Sequence, residues 1–291
     1  MVSDAFQLVL MLYGAFFTQP KTLAVLGWIG LFMLVACLFG LRARVFSRKA
    51  IANSLTSLGV LAGNVLLAPV VYLITERAAR FHAQWGLGEA IAPLWQGWPL
   101  WATILAAVIL KDFSDYWVHR VLHTRALWPI HAVHHSDTHV NGFTTFRVHA
   151  LELVLMGLFY IVLLSGVGLP AEAVAAAYVI TALHNAYVHF EVDIDHGRLN
   201  WLLSSPRFHR WHHADVPDAY GKNLANMIPL WDILFGTLYR AGRCEARMGA
   251  EAEGIPGTDP ARLFFLPFQL WARRLGEMRG NASPAPGSEK P

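Results

Sequence analysis

Fourteen histidines punctuate this 291-residue chain, and thirteen of them lie between His119 and His213. His119 and His123 stand four residues apart. His131, His134 and His135 form an i, i+3, i+4 set, and His209, His212 and His213 repeat it. On a helix, positions three and four apart share one face. Each set therefore predicts a short helix that points several imidazoles into one space. Neutral imidazole is a good ligand for iron, zinc, copper and nickel, whereas a basic or pH-sensing surface needs no repeated spacing. These eight residues, with His184 and His189 between the second and last sets, are the candidate metal ligands. Eight to ten nitrogens exceed what one ion takes. Two six-coordinate ions offer twelve places, so two to four stay open for a reactant. A closed structural zinc site would use four ligands and keep none open.

The remaining histidines read differently. His82, His139 and His196 lie in loop contexts and are expected not to bind metal. His149, in Arg147-Val-His149-Ala-Leu-Glu152, reads either as a support behind the ligands or as a partner of Glu152. His184 and His189 are about 140° apart on an ideal helix, so both reach one site only if the helix ends or bulges between them. A metal-bound imidazole donates its other N–H to a carboxylate, carbonyl or water. Asp115, one turn before His119, fits that role, and Asn223, Asp112 and Asp215 are further candidates. Phe208 and Trp211 are expected to wall the site or to anchor it at a lipid interface.

Elements of a particular kind must hold this array. The chain is 55% hydrophobic and 15% charged, with mean hydropathy +0.39, against about 25% charge in soluble domains. That excludes an ordinary soluble enzyme and a disordered chain. Two cysteines, Cys37 and Cys244, exclude a disulfide framework and a cysteine-held iron–sulfur cluster. The net charge of +3 and isoelectric point near 9.0 arise from cations beside apolar runs, a membrane pattern, so no nucleic-acid partner is expected.

A bilayer crossing takes about 20 apolar residues. Residues 22–41, 51–75 and 90–110 are uncharged, the last with a helix expected to begin near Trp98. Residues 153–183 hold one charge, Glu172, and break at Gly166, Gly168 and Pro170 into two arms. The fold class predicted is an all-α integral membrane bundle of about four transmembrane helices, paired as two hairpins, with a cytoplasmic histidine-rich helical cap. Residues 5–17 read as an interfacial or partly embedded helix, with no basic leader or cleavage site of a signal peptide. Arg42, Arg44, Arg48 and Lys49 place the first loop in the cytoplasm. The third span then returns to that side near Lys111, and every dense histidine set falls on the cytoplasmic face. Residues 229–239 read as a docking segment, 261–279 as an amphipathic helix suited to anionic headgroups, and 280–291 as disordered.

Asp115-Tyr-Trp-Val-His119-Arg-Val-Leu-His123, Trp128-Pro-Ile-His131-Ala-Val-His134-His135-Ser136, Arg147-Val-His149-Ala-Leu-Glu152 and Ser205-Pro-Arg-Phe-His209-Arg-Trp-His212-His213 together resemble the fatty acid hydroxylase / sterol desaturase superfamily of membrane enzymes. Asn223 and Pro229-Leu-Trp-Asp232-Ile-Leu-Phe-Gly236-Thr resemble its usual ending. The resemblance covers about residues 100–240. It implies a non-haem di-iron centre, O2 as co-substrate, and hydroxylation or desaturation of a membrane lipid. The eight histidines match the family's three boxes. His184 and His189 look like additional ligands of some members, with a longer spacing than the HxxxH those members show. A separate electron-transfer protein or reductase is implied.

The domains expected are an N-terminal membrane region (1–97), a catalytic region (98–240), an amphipathic C-terminal segment (241–279) and a tail (280–291). The setting expected is multi-pass, in a bacterial inner membrane or endoplasmic reticulum, with the site facing the cytoplasm. Two other classes compete. A zinc hydrolase or isomerase would use metal-bound water, but no carboxylate is placed as in HExxH. A metal transporter carries polar groups inside its spans, whereas these histidines lie beyond the span ends.

Overall fold

The computed structural model describes residues 13–43, 47–250 and 254–280, with Gln7 and Met11. The fold is all-helical. No strand occurs among the described residues, and their one β-contact is an isolated bridge between Ala214 and Met248. The tail expected to be disordered lies, beyond Gly280, outside the described residues.

Helix α1 spans Pro20–Ala43 and α2 spans Arg48–Ala83. Proline opens α1, where its missing N–H has no intrahelical partner to lose. Ser47 caps α2, its hydroxyl accepting from the Ala50 N–H at 3.1 Å. Among the described residues, α2 is the one helix both long and apolar enough to cross a membrane. It outruns the expected 51–75 span and carries Glu76, Arg77 and Arg80 in its extension. The apolar helices Thr22–Val35 and Ala150–Ser165 are shorter. Outward-facing Leu23, Trp28, Leu31, Leu66, Trp101 and Leu105 give α1, α2 and the helix from Leu100 a broad exposed apolar surface, the kind that marks a membrane or protein contact. Residues 13–17 are helical, and Tyr13 donates to the Leu66 carbonyl at 2.7 Å, tying this segment to α2.

The run expected as a third crossing divides. Leu87–Ile91 (α3) and a 3-10 turn, Ala92–Trp95, precede α4, Leu100–Leu122. Then come α5 (Trp128–His135), α6 (Ala150–Tyr160) continued by a π-turn (Ile161–Ser165), and α7 (Ala171–Val188). The break between α6 and α7 falls at the expected glycines. Gly168 has φ +66°, and a Cβ there would lie 2.2 Å from the Gly88 carbonyl oxygen, so only glycine lets this turn pack onto α3. The chain closes with α8 (Pro206–His212), α9 (Leu230–Phe235) and α10 (Pro260–Gly280).

Three sets of contacts position the site. Ala107 and Val108 of α4 meet Ala173 and Ala177 of α7, small residues that let two helices approach closely. The 229–239 segment docks as expected, with the Trp231 ring 5.1 Å from Phe113 and Phe235 stacked on Tyr116. Asp112, a candidate for supporting a ligand, does other work. It accepts from the Met227 and Ile228 N–H groups and from Trp231 Nε1, at 2.8, 2.9 and 3.0 Å. Helix α10 is amphipathic as expected, but its inner face is not turned to lipid. Leu263 and Leu266 pack with Val60 of α2 and with Ala132 and Val133 of α5.

Arg147 is the fully buried knot of the fold. Its guanidinium donates to Ser57 Oγ, Ser136 Oγ, the Gly257 carbonyl and the Asn53 carbonyl, at 2.7–3.1 Å, with Asp137 at 3.8 Å. One planar cation thus fastens α2, the residue after α5 and the approach to α10.

Candidate metal centre

The histidines arrive at helix ends. His119 and His123 occupy the last turn and C-cap of α4; His131, His134 and His135 lie on α5; His189 is the C-cap of α7; His209 and His212 lie on α8, with His213 as its C-cap. Pro129 and Pro206 sit in the first turns of α5 and α8, and Ser205 caps α8 by accepting from the Phe208 N–H at 3.2 Å. Four helix C-termini therefore converge. The partial negative charge of those carbonyl ends favours a cation.

Nine imidazoles sort into two groups, each with its ligand atoms within 4.8 Å of one another: His119, His123, His131, His135 and His212, and beside them His134, His189, His209 and His213. The groups adjoin, with the His135 and His213 ring centroids 4.7 Å apart. The i, i+4 pairs each stay together: His119 with His123, His131 with His135, His209 with His213. The middle residue of each HxxHH set crosses over, His134 to the second group and His212 to the first. Residues i and i+4 differ by about 40° around a helix, but i+3 and i+4 differ by about 100°, so neighbouring rings diverge to different places.

Hydrogen bonds set how the rings face. His119 Nδ1 lies 2.6 Å from the Leu224 carbonyl, His212 Nδ1 2.9 Å from that of Lys222, and His189 Nδ1 2.6 Å from that of Asn185. His134 Nδ1 is 3.3 Å from the Arg147 carbonyl, and His131 Nδ1 is 3.1 Å from both Glu152 oxygens. A carbonyl only accepts, so the Nδ1 atoms of His119, His212, His189 and His134 carry the proton and their Nε2 atoms turn a bare lone pair inward; an ionised Glu152 would set His131 the same way. His119 Nε2 and His131 Nε2 then face each other at 3.0 Å, and His134 Nε2 and His189 Nε2 at 3.3 Å. The Nε2 atoms of His123, His135 and His212 are buried without a partner. Two facing lone pairs repel unless a cation lies between them. Nitrogens about 2.0–2.1 Å from one metal and at a right angle are about 3 Å apart, so the spacing fits metal ligands. His209 and His213 differ: their buried Nδ1 atoms are the ones without a partner.

Burial first, and mutual repulsion among the rings second, hold His123, His131, His135, His209 and His213 well below the ordinary imidazole range. Burial brings His189 down to about 4. The rings are neutral at pH 7, the form a metal needs. In metal-free protein, falling pH protonates the unfolded chain near the ordinary imidazole value of 6.5, while the folded cage resists. Stability is therefore full above that pH and is lost as pH drops below it. The melting temperature of metal-free protein should fall from pH 7.5 to pH 5.5, and a flat or rising profile would contradict this account of the cage.

Several sequence expectations need correction. His184 joins neither group, because α7 continues through it and turns its ring to Ser204 Oγ at 2.8 Å. Asp115 touches no ligand ring; it pairs with Lys111 Nζ at 2.9 Å and accepts from the Tyr160 hydroxyl. Asn223 supports the site indirectly. Held at φ +54°, it donates to the Phe208 carbonyl and accepts from the Tyr239 N–H, fixing the loop whose flanking carbonyls hold His212 and His119. Asp215 accepts from the Tyr220 hydroxyl. His149 caps α6 and faces the Phe264 carbonyl at 3.0 Å, while Glu152 serves His131 instead. His139 and His196 stay outside both groups, with Glu191 and with Tyr187. Sequence reading missed Glu152 as a direct ring partner, although its place on the same helix turn as His149 was a usable signal. It missed the four carbonyls because every residue offers one.

Two openings reach the histidines. A cavity of about 770 Å³ touches His119, His134 and His209 at one end and runs between apolar walls that include Val71, Leu153, Met156 and Leu164. Lys111, Asp115 and Tyr160 form a polar patch in its wall. A separate polar mouth of about 400 Å³, rimmed by Arg125, Asp215 and Arg274, opens onto His123, His135, His212 and His213.

Residues 104–237 match the family model described as fatty acid hydroxylase. The chain is 29% identical to ornithine lipid hydroxylase OlsE of Rhizobium tropici over 50% of this chain and 44% of that protein. It is 30% identical to alkylglycerol monooxygenase of Xenopus tropicalis over 64% of this chain and 41% of the relative. With methylsterol monooxygenase 1 of Rattus norvegicus the identity is 28%, over 49% of this chain and 50% of that one. The chain thus spans half or less of the length of these relatives. No solved structure matches. Over residues 104–237, the stretch that carries eight of the nine gathered histidines in the three expected boxes and His189 between them, the chain is similar to the fatty acid hydroxylase family.

Proposed function

We propose that this chain is an integral membrane oxidoreductase that uses O2 and two histidine-held irons to hydroxylate or desaturate a membrane lipid, with electrons from a separate donor protein or reductase. The observation that carries the reading is the meeting of two all-imidazole groups with the end of a 770 Å³ apolar cavity. When bound, the irons supply the oxygen activation that an unactivated C–H bond requires and that acid–base side chains do not provide. The rest falls to the protein. The apolar walls hold a hydrocarbon chain against the histidine end and keep water away from it. Leu224, Lys222, Asn185, Arg147 and Glu152 fix the rings through Nδ1. The polar mouth gives a second approach to the histidines, through residues that do not line the apolar cavity. The apolar surface of α1, α2 and α4 supports a membrane setting; the two hairpins and the cytoplasmic site are proposed from the charge pattern along the sequence.

The test uses the full chain in nanodiscs of native lipid extract, loaded with iron without oxygen, then given a chemical reductant and 18O2. A lipid gaining one 18O identifies hydroxylation, and one losing two hydrogens only when O2 is present identifies desaturation. No O2-dependent change in any lipid would end the proposal, as would a product that takes its oxygen from water alone.

A further inference from the structure

A third pocket, of about 430 Å³, shares no wall residue with the cavity or the mouth. Its walls include Lys49, Arg210 and Arg247, three cations, and one acid, Glu191. Glu191 lies 3.0 Å from His139 Nε2. Among the described residues none of the three cations has an ion-pair partner. The neighbouring acids have closer partners: Asp193, which is also within electrostatic reach of Arg210, and Asp195 pair with Arg207 at 2.8 and 2.9 Å, and Glu245 with Arg243 at 3.7 Å. Three like charges around one hollow repel, and an anion between them removes the repulsion.

The surroundings select the anion. Arginine presents a planar fork of donors that matches tetrahedral oxyanions. Lys49 lies in the first turn of α2, where the helix end adds partial positive charge. Because α2 is the helix able to cross a bilayer, its start belongs at headgroup level. The loop bearing Arg247 is held close by Gly249, whose φ is +99° and where a Cβ would come within 2.9 Å of Thr138.

We propose that this pocket binds a phosphate group, from an anionic lipid headgroup or from free phosphate. The pocket is walled by close sequence neighbours of the second histidine group. Thr138 and His139 follow His134 by four and five residues, Glu191 follows His189 by two, and Arg210 follows His209 directly. A bound phosphate therefore ties the start of α2 to three of the segments that carry metal ligands, and it stabilises the folded chain.

The experiment melts delipidated full-length protein in detergent, with inorganic phosphate against chloride at equal ionic strength, and with phosphatidic acid in mixed micelles. Wild type and Arg198→Gln, an exposed cation outside the pocket, should gain several degrees. Lys49→Gln and Arg247→Gln, both at exposed positions, should each lose at least half of that gain, and Arg210→Gln/Arg247→Gln all of it. If phosphate adds nothing once phosphatidic acid is present, the lipid is the source. If only inorganic phosphate acts, the free ion is. No gain in wild type, or an equal gain in the two single pocket variants, overturns the site. None of these readouts depends on metal or turnover, so the oxygenase reading stands or falls separately.

Discussion

Iron-replete protein purified without oxygen should hold two iron ions per chain, one for each histidine group, and His123→Ala/His135→Ala should hold one or fewer. Both residues belong to the first group, and their buried Nε2 atoms have no other partner. Their loss leaves His119, His131 and His212 to hold that position. Changes to residues merely behind metal ligands lower affinity or activity about 10–100-fold, so removing two ligands should lower turnover by more than about 100-fold. His184→Ala is the matched control. Its ring bonds Ser204 rather than the cage, so both ions should remain. Metal analysis of the three proteins decides the matter. Two ions retained in the double variant, or an ion lost from His184→Ala, would mean the groups are misassigned.

Thr181→Trp should separate the lipid cavity from the metals. Thr181 lies on α7, is almost fully buried, and lines the cavity without belonging to either histidine group. A tryptophan there occupies space a lipid chain would use. Overpacking costs about 1–3 kcal/mol, which the fold should survive. A chain displaced by even about 1 Å from its reactive position reacts about 100-fold more slowly. The expected result is two ions retained and turnover reduced about 100-fold or more. Unchanged turnover with an intact cage would show that the reacting lipid lies elsewhere.

The histidine groups were legible because helical spacing is a one-dimensional record of a three-dimensional face. The i, i+4 pairs mark which rings stay together, and nine of the ten expected histidines gather. His184 failed on the point where spacing is weakest: whether a helix ends before or after a residue depends on its neighbours, not on the residue. Asp115 failed for a related reason. One turn from His119, it could reach the ring, but Lys111 and Tyr160 compete for the same carboxylate, and their meeting depends on how α4 packs against α6. The apolar runs announced long helices but not their limits, since α2 continues into charged residues that hydropathy alone would place outside. Arg147 was invisible as the knot of the fold, because its partners lie as far away in sequence as Asn53 and Gly257.

If both histidine groups hold metal, the crossing of the HxxHH sets should make the two positions one thermodynamic unit. Helices α5 and α8 each serve both, so an ion that orders either helix at one position has already arranged ligands for the other. By linkage, the gain in affinity is the same in both directions. Half-loaded chains should then be scarce. A preparation with one ion per chain on average would be a mixture of full and empty molecules, and its bulk metal content would report how many molecules are complete rather than how complete each one is.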